Sequence, residues 1–122
     1  METVAKDELH QLLNEVKNFC EARDWDQFHN IKELAIGVST ESAELLELFR
    51  FRSLEECEAL LSNVSSREKI EDEMADVFFF LLRIAGRYGV DLKAALAKKM
   101  QKNAQKYPVE KARGSNKKYD EF

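Results

Sequence analysis

The sequence has little of what characterises secreted or membrane proteins. Its 122 residues include only two cysteines, Cys20 and Cys57, whose positions match neither a metal knuckle nor a redox pair. No apolar run approaches the roughly 20 residues of a membrane-spanning helix, because even the stretch from Val77 to Ala85 is interrupted by Arg83. No signal-like stretch opens the chain. We therefore expect a cytoplasmic protein with reduced thiols and no membrane role.

Glycine and proline are also scarce. Four glycines and one proline leave few positions for turns, and apolar residues recur with helical periodicity along nearly the whole chain. These features predict an all-α protein, and short connections between long amphipathic helices favour a four-helix bundle. We expect residues 1–107 to form the helical domain and residues 108–122 an extended basic tail of the same domain.

Capping residues predict the helix boundaries. Asn30 and Ser53 each precede a glutamate by three positions, which is the spacing of a capping box. Gly89 suits a helix C-cap and Asp91 the next N-cap, and the single proline should end the last helix. A polar break is expected at residues 62–66. The predicted helices run from about Val4 to Ala22, Ile31 to Phe51, Ser53 to Leu61, Glu68 to Tyr88 and Leu92 to Tyr107.

The net charge of −4 hides an uneven distribution. Residues 1–92 carry −10, residues 93–118 carry +8, and the last four residues add −2. An acidic body with a basic C-terminal segment suits a ligand that brings both cations and phosphates. A helix with lysines near its C-terminal end would show part of the same pattern, so that interpretation stays open.

Four carboxylates lie on the apolar stripes of two predicted helices. Glu41 and Glu44 lie about 60° apart on the stripe of the second helix, and Glu73 and Asp76 repeat this arrangement on the third long helix. Buried carboxylates without cations are costly, so the four need compensation. Oxygen ligands from two facing helices suit a hard cation such as Mg²⁺. A di-iron bundle would instead need a Glu-x-x-His spacing, which neither histidine provides.

An alternative is that cationic side chains neutralise these acids in structural salt bridges. Arg83, Lys69 and the lysines of the last helix are the candidates. Two pairs placed on apolar stripes favour the metal over this alternative.

The acids belong to a longer pattern. Glu-x-x-Glu at residues 41–44 is followed after 28 residues by Glu-x-x-Asp at residues 73–76, with RDWDQFH at 23–29 before them and KNAQKYPVE at 102–110 after them. Over roughly residues 19–119 the chain resembles the MazG-like nucleotide pyrophosphohydrolases, and especially their dCTP pyrophosphatase branch.

The resemblance implies an enzyme that converts a (deoxy)nucleoside triphosphate, such as dCTP or a modified dNTP, to the monophosphate and pyrophosphate. It implies Mg²⁺, with Mn²⁺ as a substitute, and attack of water at the α-phosphorus for nucleotide-pool cleansing. It also implies a homo-tetramer built as a dimer of dimers, and no nucleic acid polymer as partner. The implied metal-binding and catalytic residues are Glu41, Glu44, Glu73 and Asp76. The implied substrate-binding residues are Trp25, His29, Phe51, Phe80, Lys99, Asn103, Lys106 and Tyr107.

Two residues depart from the pattern of the vertebrate members, because Phe51 and Phe80 stand where those proteins carry tryptophan and tyrosine. Each keeps a ring but lacks the polar group, which leaves the base preference open. A phosphoribosyl-ATP pyrophosphohydrolase or a dimeric dUTPase is a second enzyme hypothesis, and the segment from Trp25 to His29 argues against both. A non-catalytic helical interaction protein that retains the metal site is a third.

Overall fold

The computed structural model describes residues 7–122, and in this range every regular element is helical. The described chain forms two compact units, one ending at Gly89 and one spanning Val90–Phe122. None of the described helices is long and apolar enough to cross a membrane. The helices are α1 (Glu8–Ala22), α2 (Ile31–Glu47), α3 (Leu54–Ser62), α4 (Val64–Tyr88), α5 (Leu92–Lys106) and α6 (Val109–Ala112), with 3-10 turns at Asp26–Phe28 and Tyr119–Glu121.

Side-chain caps start the helices of the first unit. Asp7 accepts a hydrogen bond from the Leu9 N–H at the start of α1. The predicted start of this helix at Val4 lies outside the described residues. Asn30 accepts from the Glu33 N–H at α2, which confirms the predicted start at Ile31. Ser53 forms the full predicted capping box with Glu56 at α3. Each cap satisfies backbone donors that the first helical turn leaves unpaired.

Two predicted boundaries are wrong. α2 ends at Glu47 rather than near Phe51, because Leu48 and Phe49 donate to carbonyls three residues back and Phe51 adopts a left-handed φ of 66°. α4 begins at Val64 rather than Glu68, because Asn63 caps it by accepting from the Ser66 N–H. The expected polar break at residues 62–66 is therefore mostly the first turn of α4, where serine is well tolerated.

In the first unit, α4 is the central element and packs against α1, α2 and α3. Its core consists of small and branched side chains that are nearly inaccessible, namely Cys20, Leu34, Ile70, Leu82 and Ala85. α2 and α4 approach closely at Gly37, where an added Cβ would lie 2.5 Å from the Phe80 ring. The close approach brings the acid-bearing stripes of these two helices together.

The predicted caps at Gly89 and Asp91 are confirmed, and the predicted tail is corrected. Gly89 takes the left-handed C-cap conformation with φ 64°, and Asp91 caps α5 through the Ala94 N–H. The tail is not extended throughout, since Val109–Ala112 form α6, with Pro108 as its N-cap, and Tyr119–Glu121 form a 3-10 turn. Tyr107 packs edge-on against Tyr119 and Phe122, with ring centroids 6.0 and 5.9 Å away. The predicted division into residues 1–107 and 108–122 stays a prediction, as does the four-helix bundle.

Candidate functional site

Three of the four predicted metal ligands converge between α2 and α4. Each of Glu41, Glu73 and Asp76 offers a carboxylate oxygen, and these oxygens lie within 4.8 Å of one another. Glu73 and Asp76 come from successive turns of α4, and Glu41 faces them from α2. Glu41 and Glu73 are half-buried, whereas Asp76 is exposed. Carboxylate oxygens this close together, contributed by two helices, are suitable ligands for a hard cation.

Glu44 lies one helical turn from Glu41 on α2 and interacts with the group through Glu41. The hydrogen bond with Glu44, together with burial and the charge of Asp76, raises the pKa of Glu41 from 4.5 to about 7. Burial, followed by the charges of Glu44 and Asp76, also raises the pKa of Glu73. Without a cation the acids therefore disfavour one another's ionisation, as expected for carboxylates that share one site.

Within residues 7–89, no lysine or arginine forms an ion pair with this group. In this range the ion pairs involve other carboxylates, so the alternative in which Arg83 or Lys69 neutralises the four acids finds no support there. Glu73 Oε2 is buried and has no hydrogen-bond partner among the residues that the structure describes. A buried anionic oxygen without a partner is unfavourable. Together, the orphaned oxygen and the all-oxygen donor set fit a divalent metal such as Mg²⁺.

The segment from Trp25 to His29 places its two predicted base-binding residues side by side. The Trp25 indole lies 5.9 Å from the His29 ring, centroid to centroid, and 5.6 Å from Phe19 of α1. Phe19 in turn packs edge-on against Phe79, which packs edge-on against Phe80, at 6.1 and 5.2 Å. One row of rings thus links the two loop residues to Phe80, another predicted substrate contact. A cavity of about 200 Å³ opens beside this row, bounded by Glu15, Val16, Phe19 and Phe79.

A buried ion network fixes the same segment to α4. The Arg83 side chain is 3% exposed and pairs through Nη2 with Asp26 Oδ1, and its Nε donates to His29 Nδ1 at 2.8 Å. Arg87 reaches the other Asp26 oxygen at 3.6 Å. Sequence reasoning assigned Asp26 no role, and Arg83 was a candidate only in the disfavoured alternative in which cations neutralise the four acids. The signal was Arg83 itself, a charge inside the apolar stretch of α4.

Phe51 does not join the ring row within the described chain. It follows α2 in a left-handed conformation, its side chain is 90% exposed, and the Arg50 guanidinium lies 4.6 Å from its ring centroid. A positive φ is uncommon for a bulky residue such as phenylalanine. Its predicted role in substrate binding stays a prediction.

The predicted substrate contacts of the second unit lie on and just after α5. Lys99 borders an open cavity of about 360 Å³ together with Lys98, Lys102, Ala94 and Ala95. Asn103 is half-buried and accepts the Tyr107 N–H through its backbone carbonyl, which ends the helix. Lys106 lies 4.7 Å from the centroid of the Tyr119 ring. Lys99, Asn103 and Lys106 thus lie along one basic face of α5, and the aromatic cluster of the tail contacts the Lys106 end of it.

The chain is similar to one protein family and to several known proteins. A model of the MazG-like family matches residues 36–122, which include all four carboxylates. dCTP pyrophosphatase 1 of Rattus norvegicus is 38% identical over 104 residues, covering 85% of this chain and 61% of that protein. The Homo sapiens protein of the same name is 36% identical with the same coverage. The chain thus spans about 61% of the length of these relatives.

A solved structure resembles the fold closely. The crystal structure of a pyrophosphatase from Archaeoglobus fulgidus superposes with a TM-score of 0.78 and 35% sequence identity, covering 84% of this chain and 94% of that one. The resemblance to dCTP pyrophosphatases that the sequence indicated is therefore confirmed.

Proposed function

Because the chain belongs to the MazG-like family, we propose that it hydrolyses a nucleoside triphosphate, dCTP or a related or modified dNTP, to the monophosphate and pyrophosphate. The relatives named dCTP pyrophosphatase and the solved pyrophosphatase support this reaction class. The reaction would remove such nucleotides from the pool.

The observation that carries the proposal is the uncompensated acid group on α2 and α4. Glu41, Glu73 and Asp76 direct oxygens at one point, and Glu44 adds its charge through Glu41. The half-buried positions of Glu41 and Glu73 and the orphaned Glu73 oxygen are unfavourable in the absence of a cation. A structural role alone gives no reason to collect four acids there.

In this proposal the four acids hold Mg²⁺, or Mn²⁺ in its place. When bound, the ion would neutralise the α-phosphoryl oxygens and the departing pyrophosphate, which is the main requirement of phosphoryl transfer. The carboxylates would hold the ion in a fixed position, and the ion would supply the positive charge that binds the triphosphate near them. Their position on two packed helices keeps this geometry fixed, which favours a rigid arrangement of the reacting atoms.

The aromatic row suits the base, and the basic face suits the phosphates and sugar. Trp25 and Phe80 offer flat surfaces for stacking, and His29 offers a directional hydrogen bond. Lys99 and Lys106 would contribute charge to phosphate oxygens, and Asn103 a side chain that both donates and accepts. Phe51 and Tyr107 complete the proposed set of contacts.

We also propose that the chain assembles as a homo-tetramer, a dimer of dimers. Large apolar side chains of α2 and α4 are exposed in the single chain, including Leu46 at 63%, Met74 at 56% and Phe78 at 43%. Exposed apolar surface of this kind favours association. Location in the cytoplasm stays a prediction of the sequence.

The test is a pyrophosphate-release assay on the purified chain with canonical and modified (d)NTPs and Mg²⁺. We expect wild type to yield the monophosphate and pyrophosphate, and Glu41→Gln and Asp76→Asn each to lose activity on the order of a thousandfold while remaining folded. The best substrate would define the base preference.

Two acids on the same helices serve as matched controls. Glu47 on α2 pairs with Arg50, and Glu71 on α4 pairs with Arg67, both at exposed positions. Glu47→Gln and Glu71→Gln remove the same charge without touching the acid group, so both should retain activity. If no triphosphate is cleaved, the proposal is wrong and the non-catalytic interaction protein becomes the better account.

A further inference from the structure

We propose that Arg83 is a positioning residue that fixes His29 as a hydrogen-bond donor toward the nucleotide base. This inference rests on the proposed function, because it assumes that His29 contacts the base. It adds a residue outside the expected substrate-binding set and states which chemical group His29 would recognise.

One hydrogen bond of His29 has a defined direction. Arg83 Nε donates to His29 Nδ1 at 2.8 Å. A guanidinium has only donors and cannot accept, so Nδ1 must offer its lone pair. A neutral imidazole with a lone pair on Nδ1 carries its proton on Nε2. The contact with Arg83 thus selects one of the two tautomers.

The surroundings also favour the neutral ring. Burial, then the charge of Arg83, lowers the pKa of His29, with Asp26 opposing and Arg87 adding to the effect. A protonated imidazole would direct an N–H at the guanidinium, which repels it. His29 is therefore neutral and presents Nε2–H on the side of the ring away from Arg83.

Arg83 is itself held from two sides, so the orientation of His29 is defined. Nη2 of Arg83 pairs with Asp26 while Nε binds His29, and Asp26 also pairs with Arg87. These contacts join both ends of the 3-10 turn to α4. Arg83 is nearly inaccessible, and the low local polarity strengthens each of these bonds.

Arg83 lies on the same face of α4 as Asp76 of the acid group. Arg83 follows Asp76 by seven residues, which places the two within about 20° on the helix surface and roughly 10 Å apart along its axis. Phe80 lies between them on the same stripe. One rigid helix therefore sets the separation between the acids and the His29 segment.

The chemical consequence concerns specificity. A fixed Nε2–H donor binds an acceptor on the base edge, such as a carbonyl oxygen or an unprotonated ring nitrogen, and both occur in cytosine. It does not favour an exocyclic amino group. In the described chain no hydrogen bond involves Nε2, so this donor is available to a ligand.

The tautomer can be measured directly in the full chain. Long-range ¹H–¹⁵N spectra of ¹⁵N-labelled protein separate the two ring nitrogens, and the chain has only two histidines, His10 and His29. His10 is exposed on α1 and serves as an internal comparison, and a His10→Gln variant assigns the signals. We expect His29 to be a single Nε2–H tautomer in wild type, whereas His10 should show averaging.

Two variants separate positioning from general stability. Arg83→Lys keeps the charge but cannot bind Asp26 and His29 through separate nitrogens, so the single tautomer should be lost. With the best triphosphate its KM should rise about tenfold while kcat changes little. Arg87→Lys, which touches Asp26 but not His29, should retain both the tautomer and KM. A loss of folding alone would not raise KM and abolish the tautomer in Arg83→Lys while leaving kcat nearly unchanged.

The outcomes distinguish this inference from the proposed function. A single Nε2–H tautomer that Arg83→Lys abolishes, with a shift of the Nε2 signal on adding dCMP, supports the inference even if wild type cleaves no triphosphate. Mixed tautomers or Nδ1–H in wild type would overturn it even if the chain is an active pyrophosphohydrolase. An unchanged KM in Arg83→Lys would overturn it as well.

Discussion

Helix α4 carries two charged groups that differ in how their charges are balanced. Near its C-terminal end, Arg83 and Arg87 are paired with Asp26, and Arg83 also binds His29. In its middle, Glu73 and Asp76 face acids of α2, and among residues 7–122 one buried Glu73 oxygen has no hydrogen-bond partner.

This contrast separates a network whose charges are balanced, and which positions His29, from a cation site whose charges are not. A network that holds the fold together satisfies its own charges, because an unpaired buried charge is destabilising. A site that binds a charged ligand is incomplete until the ligand arrives. The Arg83 group is complete within the first unit, whereas the acid group is not.

Of the two charged groups on α4, breaking the Arg83 group should destabilise the fold more. Arg83→Met removes the buried guanidinium but keeps most of the apolar volume. We expect a loss of about 2–3 kcal/mol in the free energy of unfolding, at the lower edge of the usual range because Asp26 is partly exposed and retains Arg87. Urea denaturation of the metal-free protein measures this loss.

Arg87→Met is the control for that measurement, since the Arg87 side chain is 35% exposed. It should cost less than about 1 kcal/mol. Equal losses of unfolding free energy for the two variants would mean that the buried contacts of Arg83 stabilise the fold no more than the exposed contacts of Arg87.

The close approach of α2 and α4 should be the next most sensitive feature. Gly37→Ala places a Cβ 2.5 Å from the Phe80 ring, and displacing that ring should cost about 1–3 kcal/mol, reduced by the better helix propensity of alanine. Gly86→Ala meets no atom within 4 Å and should stabilise α4 by up to about 1 kcal/mol. Thermal unfolding of both variants should shift in opposite directions, and a parallel shift would contradict the packing described for α2 and α4.

The acid group should make metal-free stability depend on pH. The pKa of Glu41 is raised from 4.5 to about 7, so the folded state binds a proton more tightly than the unfolded state. The free energy of unfolding should therefore fall as the pH rises through this interval. Melting temperatures in EDTA should be a few degrees lower at about pH 8 than at about pH 5.

Glu41→Gln removes the titrating group, so its melting temperature should vary less over the same interval. A wild-type melting temperature that rises with pH over this range, or an equal dependence in the variant, would show that Glu41 does not have the raised pKa.

Local signals made much of the fold predictable. Asn30, Ser53, Gly89 and Asp91 act through their own backbone neighbours, so sequence spacing alone placed the caps. The acids were recognisable because they interrupt apolar stripes at helical spacing. Three of them meet across α2 and α4 as that pattern required.

Features that depend on distant partners were not predictable. Arg83 was visible as an anomaly, but its partners lie more than 50 positions away in the sequence and could not be chosen by spacing. The early end of α2 depends on the left-handed Phe51, a conformation that phenylalanine does not favour by itself. The short helix after Pro108 likewise belongs to a tail organised by Tyr107, Tyr119 and Phe122.

The central claim, that the acid group takes a divalent cation, is tested most directly by titrating the metal-free chain with Mg²⁺ by calorimetry and thermal unfolding. Wild type and Glu47→Gln should bind Mg²⁺ and become more stable, because a ligand of the folded state raises the melting temperature. Glu73→Gln should bind far more weakly and should already be more stable than wild type in EDTA, since one repelling charge is gone. Equal Mg²⁺ binding by wild type and Glu73→Gln, or no binding by wild type, would contradict the account.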